Sequence, residues 1–74
     1  MSRQNMTDMM GPMDGAELKA IRLATGLTQE RFAPVVGKTT SEISRWERGI
    51  RRIPDEKALW VRAKVAAWRA HGGT

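Results

Sequence analysis

The chain contains no cysteine and no tyrosine, one phenylalanine and one histidine. Without cysteine there is neither a disulfide nor a thiolate metal site, and His71 has no carboxylates clustered around it in sequence to complete a zinc site. Such a chain suits a reducing compartment, and the expected location is the cytoplasm. Residues 1–13 lack the basic-then-apolar pattern of a secretion signal, and nowhere do the roughly 18 consecutive apolar residues of a spanning helix occur, so neither export nor a membrane is expected. The same scarcities argue against an enzyme. There is no thiol or phenol, no glycine-rich phosphate loop, no pair of carboxylates at a useful spacing, and the one imidazole stands just before Gly72-Gly73. No cofactor, metal or small-molecule ligand is expected.

What is abundant is positive charge. Thirteen Lys and Arg against eight Asp and Glu give +5, and a sequence pI near 10.8 points to a polyanionic partner. The excess is uneven: Lys38, Arg45, Arg48, Arg51 and Arg52 fall within fifteen residues that hold only Glu42 and Glu47 in return. Seventy-four residues make one domain with a modest core, for which support from a second subunit is plausible.

Residues 1–13 have no periodicity and a Gly11-Pro12 break, and are expected to form a flexible arm ahead of a domain over 14–71, with a frayed tail at 72–74. Asp14 is placed to cap a first helix over Ala16–Thr25, with Leu18 and Ile21 one turn apart and Gly26 as its stop. Thr28 caps a second helix running to about Val36, where Phe32 and Val36 share a face and Gly37 breaks the chain. Pro34 lies inside that helix, where a proline costs about 3 kcal/mol in a regular interior, so a bend is expected. Thr39 caps a third helix over about 39–48 whose only large apolar residues are Ile43 and Trp46. Its remaining surface is polar, and Gly49 ends it. Pro54 opens a longer fourth helix to about Ala70 that carries two apolar stripes: Leu59, Ala63, Ala66 and Ala70 on one side, Val61, Val65 and Trp68 on the other. A core uses one of them. Leu59 and Ala63 are taken as the core side, leaving Val61, Val65 and Trp68 as a seam for a second copy. The fold class is all-α, a compact bundle of four to five helices, with Leu18, Ile21, Leu27, Phe32, Val36, Ile43 and Ile53 in the core and Trp46 as a partly buried plug.

Two short helices joined by a glycine-containing turn, the second polar on its outer side, form a helix-turn-helix. The string LTQERFAPVVGKTTSEISRWERG (Leu27 to Gly49) resembles the lambda-repressor-like family of Cro and repressor proteins, the xenobiotic-response-element type. The resemblance extends over roughly residues 16–66. Its most specific parts are Leu27-Thr28-Gln29-Glu30, Ala33 and Gly37 at their spacing, and Ile43-Ser44-Arg45-Trp46-Glu47-Arg48-Gly49. It implies a regulator that binds double-stranded DNA in a sequence-specific way, most simply a repressor acting as a homodimer on an inverted repeat. The alternative is an antitoxin-like protein-interaction module whose DNA binding is secondary.

Residue by residue, the resemblance places Thr40, Ser41, Ser44 and Arg45 at base-contacting positions. A guanidinium fork can bond guanine O6 and N7 together, although Arg45 serves a phosphate equally well. Gln29, Lys38, Thr39, Arg48, Arg51 and Arg52 are expected at the DNA backbone, contributing affinity and salt dependence. Glu42 could accept from a cytosine amino group, stay in solvent or pair with a basic neighbour. Family members also join an Arg and a Glu at the positions of Arg22 and Glu47. An acid near a helix C-terminus needs a cation, and either Arg22 or the nearby Arg51 could supply one.

Overall fold

The computed structural model describes residues 13–73 and shows four helices in them: α1 Gly15–Thr25, α2 Gln29–Val35, α3 Thr40–Glu47 and α4 Asp55–Ala70. The protein is all-α. Residues 1–12, on which most of the expected arm falls, and Thr74 lie outside the described residues.

Three of the four helices start where a side chain takes up an orphan amide, and α4, which follows Pro54, has no side-chain cap. The Asp14 carboxylate accepts from the Glu17 N–H, and the Thr28 hydroxyl accepts from the Arg31 N–H. Helix α2 ends in a Schellman arrangement: Gly37, at φ 69°, donates to the Pro34 carbonyl and Lys38 donates to that of Ala33. Pro34 therefore sits in the last turn of a seven-residue helix with its ring side exposed, and the helix stops one residue later. The same double bond pattern closes α3 at Gly49 and Ile50, and closes α4 at Gly72 and Gly73, the residues expected to fray.

Helices α2 and α3 pack on each other, α1 packs on α3, and α2 touches α4. The core contains Leu18 of α1, Phe32, Ala33 and Val36 of and after α2, Ile43 and Trp46 of α3, and Ile53 before α4; Ile21 and Leu27 are packed at its edge. Met13, grouped with the arm from sequence, is 3% exposed and belongs to this core. Gly15 is required for a different reason from the capping glycines. A Cβ there would lie 2.4 Å from the Trp46 carbonyl oxygen and 2.6 Å from that of Glu47, so only a glycine lets the start of α1 abut the end of α3. That contact sets the positive end of one helix against the negative end of the other.

The expected phase of α4 is reversed. Val61 and Val65 are 0% and 6% exposed and form its core face with Ala58, whereas Leu59 is 65% exposed and Ala63 is also outside. Val61 and Val65 are thus not available as a seam for a second copy, and Trp68 is half-buried with its ring against Gly73. The choice is intelligible in terms of volume. Two valines and an alanine one and two turns apart join Leu18 and Phe32 in one buried cluster, while the alternative face offers one leucine followed by alanines and less volume to fill a core. The chosen phase also brings Trp60 to the end of α2, where its indole N–H donates to the Val36 carbonyl at 2.6 Å.

Candidate nucleic-acid interface

The helix-turn-helix is braced from behind by a three-helix polar junction. Arg22 of α1 meets Glu47 of α3 through two bonds, Nε to Oε2 at 2.7 Å and Nη2 to Oε1 at 3.0 Å, and its Nη1 donates to the Leu27 carbonyl at 3.0 Å. Gln29, the first residue of α2, donates its side-chain amide to Glu47 Oε1 at 3.0 Å. The side chains of Arg22 and Glu47 are 11% and 4% exposed, so this is a largely desolvated, fully bonded pair and not a surface contact. Burial alone would push the Glu47 carboxyl up. The hydrogen bonds from Arg22 and Gln29 and the Arg22 charge outweigh it and hold the group below its ordinary range, while Glu47 raises Arg22. Because its four groups come from α1, the α1–α2 connection, α2 and α3, the junction fixes the angle between the two helices of the motif. Arg51 takes no part in it.

At the opposite end α3 opens with a reciprocal cap. Thr39 Oγ1 accepts from the Glu42 N–H at 3.1 Å, and Glu42 Oε1 accepts from the Thr39 N–H at 3.1 Å. The Thr39 amide, its hydroxyl and the charges of Lys38 and Lys57 hold the Glu42 carboxyl below its usual value against a small opposing effect of burial. The acid left open in three ways by sequence is a capping residue.

The outward surface of α3 presents Ser41, Arg45 and Arg48 exposed, with Thr40 and Ser44 half-buried beside them. Past Gly49 the chain turns back onto the helix: the amides of Ile50 and Arg51 both donate to the Arg45 carbonyl, at 3.0 and 3.3 Å. This return places Arg51 and Arg52 with Arg45 around one open cleft that Glu42, Trp46 and Pro54 also line. Lys57, from the first turn of α4, lines the same cleft; in the sequence it is masked by the Asp55-Glu56 just before it. Arg48 is exposed but lies outside the cleft, and Lys38 is half-buried in the turn. Among the described residues, Arg45, Arg48, Arg51 and Arg52 have no ion-pair partner, in contrast to Arg22 with Glu47 and Arg62 with Glu17. Unpaired guanidinium groups on an open surface keep their charge for an incoming anion, since no internal bond must first be broken.

Trp60 is a further residue that sequence inspection passes over. Besides its bond to Val36, its ring lies within contact of the position of a Cβ on Gly37, at 3.6 Å, and the Lys64 ammonium sits 4.5 Å from its centroid. It ties α4 to the turn between the two motif helices.

A family model for the helix-turn-helix matches residues 18–61, which takes in both motif helices, the Arg22–Glu47 junction and the start of α4. The chain belongs to this helix-turn-helix family, of the Cro and repressor type. It is accordingly a DNA-binding regulatory domain that acts on double-stranded DNA. No curated protein and no solved structure matched the chain. Among the described residues no helix is long and apolar enough to cross a membrane, and no group of His, Asp or Glu could hold a metal ion.

Proposed function

We propose that the protein is a cytoplasmic repressor that binds an inverted-repeat operator as a homodimer, with α3 in the major groove. The observation that carries this reading is the set of unpaired, exposed arginines on and just after α3, held in fixed register by the Arg45 carbonyl. Arg45 reads a guanine, and Thr40, Ser41 and Ser44, being short, read nearby bases directly or through water. Lys38, Arg48, Arg51 and Arg52 neutralise phosphates, and Lys57 joins them through the shared cleft. Thr39 contributes its hydroxyl, whose bond to Glu42 at 3.3 Å is long enough for a phosphate to compete. Gln29 contributes the one amide hydrogen that Glu47 leaves unused. Occupying a promoter is the simplest way for the bound domain to repress.

Selection of bound duplexes from a random pool, followed by footprinting, tests this reading. An inverted repeat with half-site centres about one helical turn, roughly 34 Å, apart is expected. Recovery of sites without two-fold symmetry would overturn the homodimer, and no enrichment at all would overturn sequence-specific binding.

A further inference from the structure

Trp60 of α4 is 44% exposed, while Ala58, Val61 and Val65 of the same helix fill the core without it. Burial therefore does not account for a tryptophan at this position. What its side chain engages is backbone. The amides of Val36, Gly37 and Lys38 close the end of α2 on the carbonyls of Phe32, Ala33 and Pro34, and the Val36 carbonyl, past the last turn, accepts from the Trp60 indole N–H at 2.6 Å. The ring lies beside Gly37, with the Lys64 ammonium 4.5 Å from its centroid. Only Gly37 and Lys38 stand between that carbonyl and Thr39, the cap of α3.

We propose that Trp60 is a positioning residue for the start of the recognition helix α3: its bond to Val36 sets where Thr40 and Ser41 lie against the DNA. The proposal rests on the DNA-binding reading above. Separate devices fix the parts of α3. Ile43 anchors its middle in the core. Its C-terminal end is held by Glu47 in the junction with Arg22 and Gln29, and by the Ile50 and Arg51 amides on the Arg45 carbonyl. At its N-terminal end the reciprocal Thr39–Glu42 cap bonds the helix to its own first turn, so it fixes the shape of the start but not its place in the domain. Place is set through the two-residue turn, whose leading carbonyl is tied to α4. Groups that recognise a ligand must be held within about 0.5 Å of their working positions. The demand is strictest for short side chains. A serine or threonine hydroxyl has a single side-chain torsion to its oxygen and cannot follow a displaced base, whereas the long Arg45 side chain can adjust.

Trp60→Phe in the full chain keeps a ring beside Gly37 and removes the N–H. Val65→Ala, a core truncation remote from the turn, is the control that lowers stability alone. Both are titrated with the duplex recovered by selection and with its single-mismatch versions. The quantity read is the ratio of matched to mismatched affinity, because a loss of folded fraction weakens both duplexes alike and cancels. Thr40→Ala, Ser41→Ala and Arg45→Ala identify which base pair each residue reads. Trp60→Phe is expected to lower the ratio at least about threefold at the pairs read by Thr40 and Ser41, a fraction of the discrimination of one good contact, and to leave it unchanged at the Arg45 pair. Val65→Ala should leave every ratio unchanged. Unchanged ratios in Trp60→Phe, or an equal fall at every pair, overturn the proposal while leaving DNA binding in place. Amide hydrogen exchange tests the same positioning without DNA. In Trp60→Phe the Gly37, Lys38 and Glu42 amides should speed up more than those of Ile50 and Arg51, and an equal speed-up overturns the proposal. The unequal speed-up in a chain that selects no duplex would support the positioning of α3 and overturn the DNA reading instead.

Discussion

Replacing Glu47 by alanine tests whether the junction behind the motif is what fixes its geometry. The substitution leaves the Arg22 guanidinium, 11% exposed, with only the Leu27 carbonyl as a partner, and leaves the Gln29 amide without its acceptor. Breaking a buried pair by removing one member costs about 3 to 5 kcal/mol, because the remaining charge is uncompensated. A domain of this size has a total stability of about 4 to 11 kcal/mol, so the variant should lose about a quarter of it or more. Urea denaturation followed by circular dichroism measures the difference. Replacing both partners, Arg22→Met with Glu47→Leu, should cost less than Glu47→Ala alone, since no buried charge is then stranded. The junction also predicts the acid limb of stability. The folded Glu47 carboxyl is held below its ordinary value, so its stabilisation is present above the unfolded-chain pKa near about 4.3 and is lost as pH falls through the lower folded value. Glu42 acts in the same direction, and the acid limb should be shallower in Glu47→Ala. A loss below about 1 kcal/mol, the range of an exposed pair, would refute the reasoning.

Gly15→Ala should destabilise by about 1 to 3 kcal/mol, against the helix-propensity gain, because its Cβ meets the Trp46 and Glu47 carbonyls; a raised melting temperature would show that α1 slides away freely. Trp60→Phe keeps the ring and removes the N–H bonded to Val36, and should cost about 0.5 to 1.5 kcal/mol in thermal or urea unfolding, with no change expected only if water replaces that bond at no loss. Arg45→Ala should lose about 1 to 3 kcal/mol of discrimination at one base pair, whereas Arg51→Ala should weaken all duplexes alike and flatten the salt dependence; titrations on matched and single-mismatch duplexes separate the two, and unchanged preference in Arg45→Ala would make it a phosphate contact.

The helix boundaries were legible because their signals are local: Asp14, Thr28 and Thr39 each bond an amide three residues ahead, and Gly37 and Gly49 each close a turn. The phase of α4 was not legible, since two apolar stripes compete on that helix and the larger single residue, Leu59, lies on the losing one. What decides between them is the shape of the space left by α1 and α2, which no window along α4 contains. Trp60 was invisible for the same reason: its partner is a backbone carbonyl 24 positions away, and backbone atoms leave no trace in residue type.

The arginines show the limit most clearly, because composition treats them alike while the fold sorts them by partner. Arg22 is joined to a buried carboxylate and a loop carbonyl, and Arg62 bonds Glu17; these two hold helices together. Arg45, Arg51 and Arg52 are exposed around one cleft without an ion-pair partner among the described residues. The net charge of +5 counts both groups equally, but a phosphate can recruit only the second without dismantling an internal bond. What separates them is the position of acids in space: Glu47 points to the junction, and Glu42, although it lines the cleft, is bonded to the Thr39 cap, so neither of the two acids on α3 forms an ion pair with the arginines that follow it. A basic surface here is thus made as much by where the carboxylates are engaged as by where the arginines stand.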